Sequence, residues 1–327
     1  MKIAINGIGR IGRSILRVAL KKNIEIVAIN DLMDIKSAAY LIKYDTTRGI
    51  LNEEVEIIDK NTLKVGENFI NYSQKTIPAE IPFGEADIVL ECTGKFLSSD
   101  LAKGHLKGNV KKVILSAPAN DDTPTYVLGV NHKDYKGESI ISNASCTTNC
   151  LGPVAKIIDE KFGIVKGFMS TIHSYTMDQK LLDAPNNRDI RRSRAAAENI
   201  IPTFTGAAKA IYKVLPNLKG RLDGVSIRVP VANVSLMDLT LELEKDTTKE
   251  EINELIKFHS MTDLKGILEV DEEFKVSSDI NSNPASSIVA PDLTKVNKNL
   301  VKIFSWYDNE WGYSNRMIEM AEYIYKM

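Results

Sequence analysis

The sequence predicts an α/β fold in two parts, and three observations carry that prediction. A buried-type strand, Lys2–Asn6, runs into Gly7-Ile8-Gly9-Arg10-Ile11-Gly12 and then into an amphipathic helix reaching Lys21. Further apolar strand-like runs alternate with helical stretches as far as Ile141. Beyond Gly163 the alternation loosens. A doubly wound parallel sheet followed by a differently organised second domain accounts for all three.

The bulk properties set limits. At 327 residues the chain is long enough for two domains with sizeable cores. Charged residues make up 26% and hydrophobic ones 43%, ordinary for a globular enzyme. A net charge of −1 gives no reason to expect nucleic acid or an anionic membrane as partner. The opening MKIAING reads as a first strand, not as a signal peptide. The longest uncharged run, Ser139–Ala155, is rich in Ser, Asn and Thr and is no membrane span. Three cysteines make no disulfide framework, which fits a reducing cytoplasm.

Taken in order, the glycine turn comes first. Gly7 permits the tight turn, Gly9 lets backbone approach a pyrophosphate, and Gly12 lets the helix pack on the strand. The helix N-terminus then faces the phosphates. The strand Glu25–Asn30 ends in Asp31, which lies at the spacing of about 20 residues where a carboxylate meets ribose hydroxyls and repels an added phosphate. NAD is therefore expected over NADP. Residues 34–43 read as a helix, and Val55–Tyr72 as short antiparallel strands. The strands Asp87–Glu91 and Lys112–Leu115 end at Thr93 and Ser116, where a doubly wound fold places its ligand crevice. Cys92 reads as a small core residue. Tyr126–Val130 and Glu138–Ile141 are expected to finish the sheet.

Ser142-Asn143-Ala144-Ser145-Cys146-Thr147-Thr148-Asn149-Cys150 lies between that last strand and a helix-like run to Lys161. Cys146 thus falls near a helix N-terminus, where orphan N–H groups and the dipole favour a thiolate. It is the candidate nucleophile; the alternative is a buried structural cysteine. Cys146 and Cys150, four apart on a helix, lie side by side and do not face one another, so a disulfide is disfavoured. Two cysteines without a nearby histidine do not make a zinc site, and no metal is expected.

In the second half, Val165–Ile172 reads as a strand ending at His173, the best partner for Cys146 as base and ion-pair stabiliser. His105, His132 and His259 are expected at the surface. Residues 177–200 form a long polar connection with Arg188, Arg191, Arg192 and Arg194, either a functional segment, an interface or a solvated loop. Thr205-Gly206 opens an expected helix to Leu215 and is either an anion cradle or an ordinary N-cap. Arg228 sits in an apolar strand, Val225–Val231, and wants an anion, either a carboxylate or a ligand phosphate. Leu236–Leu243 and Lys302–Trp306 read as strands, Thr248–His259 as a helix, and Met317–Tyr325 as the final helix. Trp306 and Trp311 read as packing residues.

The segments INGIGRIGR (5–13), AINDL (28–32), ECTGKF (91–96), SNASCTTNCLGP (142–153), HSYT (173–176), IIPTFTGAAKA (200–210), RVPVANVS (228–235) and WYDNEWGYSNR (306–316) closely resemble those of phosphorylating glyceraldehyde-3-phosphate dehydrogenases. The resemblance runs over essentially the whole chain. It implies a Rossmann NAD-binding domain, residues 1–147, with the C-terminal helix 313–327 packing back on it. It also implies an α+β catalytic domain with a largely antiparallel sheet, residues 148–312, including an S-loop at 177–200. The implied reaction oxidises and phosphorylates glyceraldehyde 3-phosphate with NAD and inorganic phosphate, in a cytoplasmic homotetramer. Cys146 would be the nucleophile and His173 the base. Ser145, Thr147, Thr176, Arg192, Thr205, Gly206 and Arg228 match positions that hold the substrate phosphate and inorganic phosphate. Arg10, Ile11, Asp31, Ser116 and Asn315 match NAD contacts, joining Gly7, Gly9, Gly12 and Thr93 from the strand ends. The family's acidic-basic-acidic-proline segment near the adenine is replaced by Lys75-Thr76-Ile77-Pro78, so no adenine contact is assigned there. The alternatives are an erythrose-4-phosphate dehydrogenase, which departs from the Ser174-Tyr175-Thr176 pattern kept here, and a non-catalytic binding protein.

Overall fold

The computed structural model describes residues 1–187 and 189–327; Arg188, one of the arginines of the long polar connection, lies outside the described residues. The chain forms two compact units. One comprises residues 1–127, 132–145 and 314–327, the other residues 128–131 and 146–313. No helix among the described residues is long and apolar enough to cross a membrane.

The first unit contains β1 (Lys2–Asn6), α1 (Arg10–Lys21), β2 (Glu25–Asn30), α2 (Ile35–Lys43), β3 (Val55–Asp59), β4 (Thr62–Val65), β5 (Asn68–Ser73), β6 (Ile88–Glu91), β7 (Lys112–Leu115) and β8 (Ile140–Ser142). They form one sheet in the order β8-β7-β6-β1-β2-β5-β4-β3. From β8 to β5 every pairing is parallel, and β4 and β3 add on antiparallel. The apolar runs explain this: β1, β2, β6 and β7 are buried along nearly their whole length, as strands covered on both faces must be. The strand order reverses between β1 and β6, so the glycine turn after β1 and Thr93 after β6 flank the topological switch point.

The second unit contains α3 (Cys146–Phe162), β9 (Ile164–Ser174), β10 (Ile201–Phe204), β11 (Leu222–Val229), β12 (Ser235–Leu243), α4 (Lys249–Met261), β13 (Leu268–Val270), β14 (Ser287–Val289) and β15 (Leu300–Tyr307). The sheet order is β10-β11-β9-β12-β15-β14-β13, with Lys295–Asn297 also pairing on β15. Most neighbours are antiparallel, while β9–β11 and β13–β14 are parallel. Here β12 alternates buried and half-buried along its length, the pattern of a sheet covered fully on one face only. Met237, Leu239, Leu241 and Leu243 on its inner face are fully buried, each worth about 1.5–3 kcal/mol in burial. α3 lies against β12, β14 and β15. The final helix, α5 (Trp311–Lys326), belongs to the first unit from Ser314 onward.

Three expectations are corrected. Tyr126–Val130 is not a strand; a single parallel bridge joins Thr125 to Ser142. Pro124 brings no N–H to a ladder, and Gly129 has a φ of +78°, so the run cannot continue. The stretch after Thr205 is a turn and a short 3₁₀ helix, Lys209–Lys213, not a regular helix to Leu215; Pro216 ends it. His105 is not at the surface but fully buried, because Phe83 and Phe96 pack on its ring and Glu91 meets its Nε2 at 3.0 Å.

Candidate active site

The cofactor cradle is set by what glycine omits. A Cβ on Gly7, whose φ is +92°, would stand 2.8 Å from Thr93 N, and one on Gly12 would stand 2.1 Å from Gly7 O. The turn after β1 thus packs tightly on the end of β6 and on α1. A Cβ on Gly9 would meet nothing within 4 Å. Gly9 caps α1 with no side-chain bond, and no acidic residue lies in its first turn. Open space before an uncapped helix N-terminus suits a pyrophosphate. Asp31 Oδ2 accepts from Ile8 N at 2.7 Å and Oδ1 from Met33 N at 3.0 Å, which ties the acid to the same turn. Each oxygen keeps a further acceptor site for a hydroxyl. The residues present fit NAD.

The other expected contacts lie in the same unit. Arg10 donates to Asp45 Oδ2 at 2.5 Å and to Thr47. Burial alone would push the Asp45 carboxyl up, but the Arg10 bonds and charge outweigh it and hold the group at about 2. Ile11 and Ser116 are half-buried, Thr93 is clamped onto Glu91, and Asn315 is buried in α5.

Cys146 is the first residue of α3, half-buried, after a turn in which Ala144 takes a left-handed φ of +55°. A non-glycine residue there stores strain beside the reactive group. His173, near the end of β9, brings Nε2 to 3.8 Å from Cys146 Sγ. Its Nδ1 donates to Ser174 O at 2.7 Å. With the proton on Nδ1, Nε2 faces the sulfur with a lone pair and can act as a base. The Tyr307 ring stands edge-on to the imidazole, 6.0 Å between centroids. Tyr307 Oη is also 3.0 Å from Thr147 Oγ1 and 2.7 Å from Thr171 Oγ1, which anchors the start of α3.

The register of β9 against β11 sets Arg228 directly beside His173. Arg228 Nη1 donates to Ser174 O and to Thr176 Oγ1, each at 3.0 Å, and lies 3.2 Å from His173 Nδ1. Burial, with Arg228 beside it, pushes the His173 ring down to about 3. Burial pushes the Cys146 thiol up, partly offset by Thr147 and Arg228. With the thiol pushed up and the imidazole pushed down, one proton transfer from Cys146 Sγ to His173 Nε2 converts the neutral pair to thiolate and imidazolium. Cys150 is pushed up to about 12 by burial and has a serine for neighbour, and Cys92 is pushed up likewise beside Ser116.

An anion-binding group adjoins the pair. Thr176 Oγ1 bonds Asp178, whose Oδ2 accepts from Arg192 Nη1 at 2.5 Å. Arg192 is buried, donates to Thr203 Oγ1 at 3.0 Å and lies over the Phe204 ring. The structure thus joins Cys146, Thr147, His173, Thr176, Arg192 and Arg228 in one bonded group. Thr205 and Gly206 stay in their own turn, where Thr205 Oγ1 accepts from Ala207 N at 3.2 Å and a Cβ on Gly206 would meet open space. Ser145 immediately precedes Cys146 and is the last residue of the first unit's second stretch.

Sequence reasoning missed Asp178 and the Tyr307 hydroxyl. Asp178 stands two residues after Thr176, and Tyr307 follows Trp306 in an apolar strand, so the only available signal was a polar group in a motif-bearing segment.

Two family descriptions match the chain. "Glyceraldehyde 3-phosphate dehydrogenase, NAD binding domain" covers residues 1–99, and "Glyceraldehyde 3-phosphate dehydrogenase, C-terminal domain" covers residues 145–309. The chain is 52% identical over 329 residues to glyceraldehyde-3-phosphate dehydrogenase 1 of Bacillus cereus, covering 99% of this chain and 98% of that one. It is 50% identical over 330 residues to the enzyme of that name from Geobacillus stearothermophilus, with the same two coverages. The Mycolicibacterium smegmatis relative is 50% identical over 337 residues, covering 100% of this chain and 99% of its own. With likeness of that degree along its whole length, the chain belongs to the glyceraldehyde-3-phosphate dehydrogenase family.

Proposed function

We propose that this chain oxidises D-glyceraldehyde 3-phosphate to 1,3-bisphosphoglycerate with NAD and inorganic phosphate, a step of glycolysis and, reversed, of gluconeogenesis. The observation that carries the reading is the Cys146 Sγ to His173 Nε2 approach of 3.8 Å at the start of α3, with Arg228 alongside. Residues 1–147, with the C-terminal helix 313–327, form the cofactor-holding domain, and residues 148–312 the catalytic one. Gly7, Gly9, Arg10, Ile11, Gly12, Asp31, Thr93, Ser116 and Asn315 hold NAD, which supplies a hydride acceptor when bound.

His173 Nε2 takes the thiol proton, and Cys146 Sγ forms a bond to the aldehyde carbon, giving a thiohemiacetal. His173 then holds the hydroxyl proton as the carbon loses its hydride, which leaves a thioester on Cys146. An oxygen of inorganic phosphate attacks the thioester carbonyl. The C–S bond breaks, the acyl phosphate departs and the thiolate recovers its proton. The Cys146 N–H at the helix terminus and the His173 ring stabilise the oxyanion. Ser145, Thr147, Thr176, Arg192, Thr205, Gly206 and Arg228 hold the two phosphates. A cation pair flanked by hydroxyls suits two anions at once. A thioester conserves the free energy that hydrolysis would lose, and so couples oxidation to phosphorylation.

The test follows NADH absorbance with saturating NAD and aldehyde, with phosphate present and then omitted. Sustained turnover is expected only with phosphate, and a single burst of one NADH per site without it. Turnover indifferent to phosphate would mean hydrolytic deacylation, and the erythrose 4-phosphate reading would replace this one.

We infer further that the chain works as a homotetramer. Phe168, Phe204 and Val225, on β9, β10 and β11, are 72%, 59% and 49% exposed, and Leu181 and Leu182 of the S-loop are 82% and 75% exposed. Large apolar side chains gathered on one sheet and its loop suit an interface between copies. Light scattering should return a mass four times that of the 36.3 kDa chain; a monomer at working concentration would sink this inference. A cytoplasmic location accords with three free thiols, one of them required reduced. Recovery of the activity in a secreted fraction would count against it.

A further inference from the structure

Glu91, the last residue of β6, is fully buried, and so is His105 beside it. A carboxylate has room for about four hydrogen bonds, and here four donors are in place. Glu91 Oε1 accepts from Thr93 N at 2.8 Å and from Thr93 Oγ1 at 2.5 Å. Glu91 Oε2 accepts from Asn6 Nδ2 at 2.5 Å and meets His105 Nε2 at 3.0 Å. Asn6 Oδ1 in turn accepts from Asn30 Nδ2 at 2.8 Å. One carboxylate therefore ties together the ends of β6, β1 and β2, the three strands around the switch point.

The geometry points to Glu91 as a positioning residue for NAD, acting through Thr93. This rests on the reading of the glycine turn and Thr93 as part of the cofactor cradle. Thr93 has its N–H and hydroxyl hydrogen committed to Glu91, and its Oγ1 accepts from Lys95 N at 3.1 Å. Thr93 N is also the atom closest to the missing Cβ of Gly7, at 2.8 Å. Fixing Thr93 thus fixes the wall against which the pyrophosphate turn is seated. Glutamine cannot replace Glu91 in this task. Its amide has one acceptor oxygen, so it can serve Thr93 or Asn6, and its NH₂ would face a donor on the other side. His105 supports Glu91 from behind, held by Phe83 and Phe96, with its Nε2 also 3.5 Å from Asn6 Nδ2.

The test is calorimetric titration of NAD into wild type, Glu91→Gln, Thr93→Val and the double variant, with thermal unfolding run on each. Glu91→Gln and Thr93→Val each break the same clamp, so each is expected to raise the Kd for NAD, Glu91→Gln by about tenfold. The double variant should bind no more weakly than the weaker single one, since both act through one contact. At saturating NAD, the kcat of Glu91→Gln and its KM for the aldehyde should stay within about twofold of wild type. A folded Glu91→Gln protein with unchanged Kd would overturn the inference, as would full additivity in the double variant. If Glu91→Gln does not fold, His105→Phe decides, since it removes a donor to Glu91 and keeps an aromatic ring between Phe83 and Phe96: a raised Kd supports the inference and an unchanged one overturns it. Wild-type protein that failed to bind NAD would overturn the cofactor reading and this inference with it.

Discussion

Replacing Cys146 with serine is expected to lower kcat by about four orders of magnitude or more, the scale seen when a covalent nucleophile is removed. The hydroxyl is close to isosteric, but it does not ionise near neutral pH and does not store the acyl group as a thioester. The Kd for NAD should remain within about twofold, because the glycine turn, Asp31 and the Glu91 clamp all belong to the first unit. Steady-state rates and a binding titration on the same preparation separate the two effects. Cys150→Ser is the control: its sulfur is 3.5 Å from Ser287 Oγ and buried, so activity should survive. Wild-type turnover by Cys146→Ser would exclude the thioester route.

Replacing His173 with asparagine is expected to lower kcat by about 10²–10⁴-fold, the usual worth of a general base. Nε2 is the proton acceptor 3.8 Å from Cys146 Sγ, and without it the thiolate must form unaided in a buried site. The rate of Cys146 alkylation by iodoacetamide should then rise with pH only at a higher inflection than in wild type. An unchanged alkylation profile would show that His173 does not share the thiol proton.

The same substitution has a consequence for stability whose sign follows from linkage. The folded-state His173 pKa is pushed down to about 3, against about 6.5 in an unfolded chain. Between those values the unfolded chain binds the proton and the folded one does not, so acid draws the equilibrium toward unfolding. Wild type should lose stability as pH falls from about 6.5, and His173→Asn should lose less of it over that range. Thermal midpoints at pH 5 and pH 7.5 for both proteins measure the difference.

What could be read from the chain itself was what lies close together along it. Gly7, Gly9 and Gly12 do their work within one turn, and Asp31 follows one helix and one strand later, so their spacing carries their geometry. Cys146 announced itself because a strand, a polar turn and a helix follow one another directly. The partners that cross between strands were harder. Arg228 stands beside His173 only because β9 pairs in parallel with β11, and nothing in residues 165–231 states that register. Glu91 and His105 meet between a strand end and a 3₁₀ turn, and a histidine in a polar stretch offers no hint of the two phenylalanines that bury it. Tyr126–Val130 was misread because it has the composition of a strand, while Pro124 and Gly129 decide its backbone.

The first unit is assembled from three stretches of chain, the last being residues 314–327. Met317, Ile318, Met320 and Ala321 are fully buried in it, and Lys22 at the end of α1 pairs with Glu319 at 3.0 Å. A nascent chain emerges from the ribosome N-terminus first, at about 5–20 residues per second. The glycine turn and the parallel strands are therefore exposed early, whereas residues 314–327 of the same unit follow only after all of residues 146–313. In the interval the second unit, whose residues run from 146 to 313 almost without interruption, has all its pieces in hand. The unit whose first strands emerge before the other unit is thus completed after it.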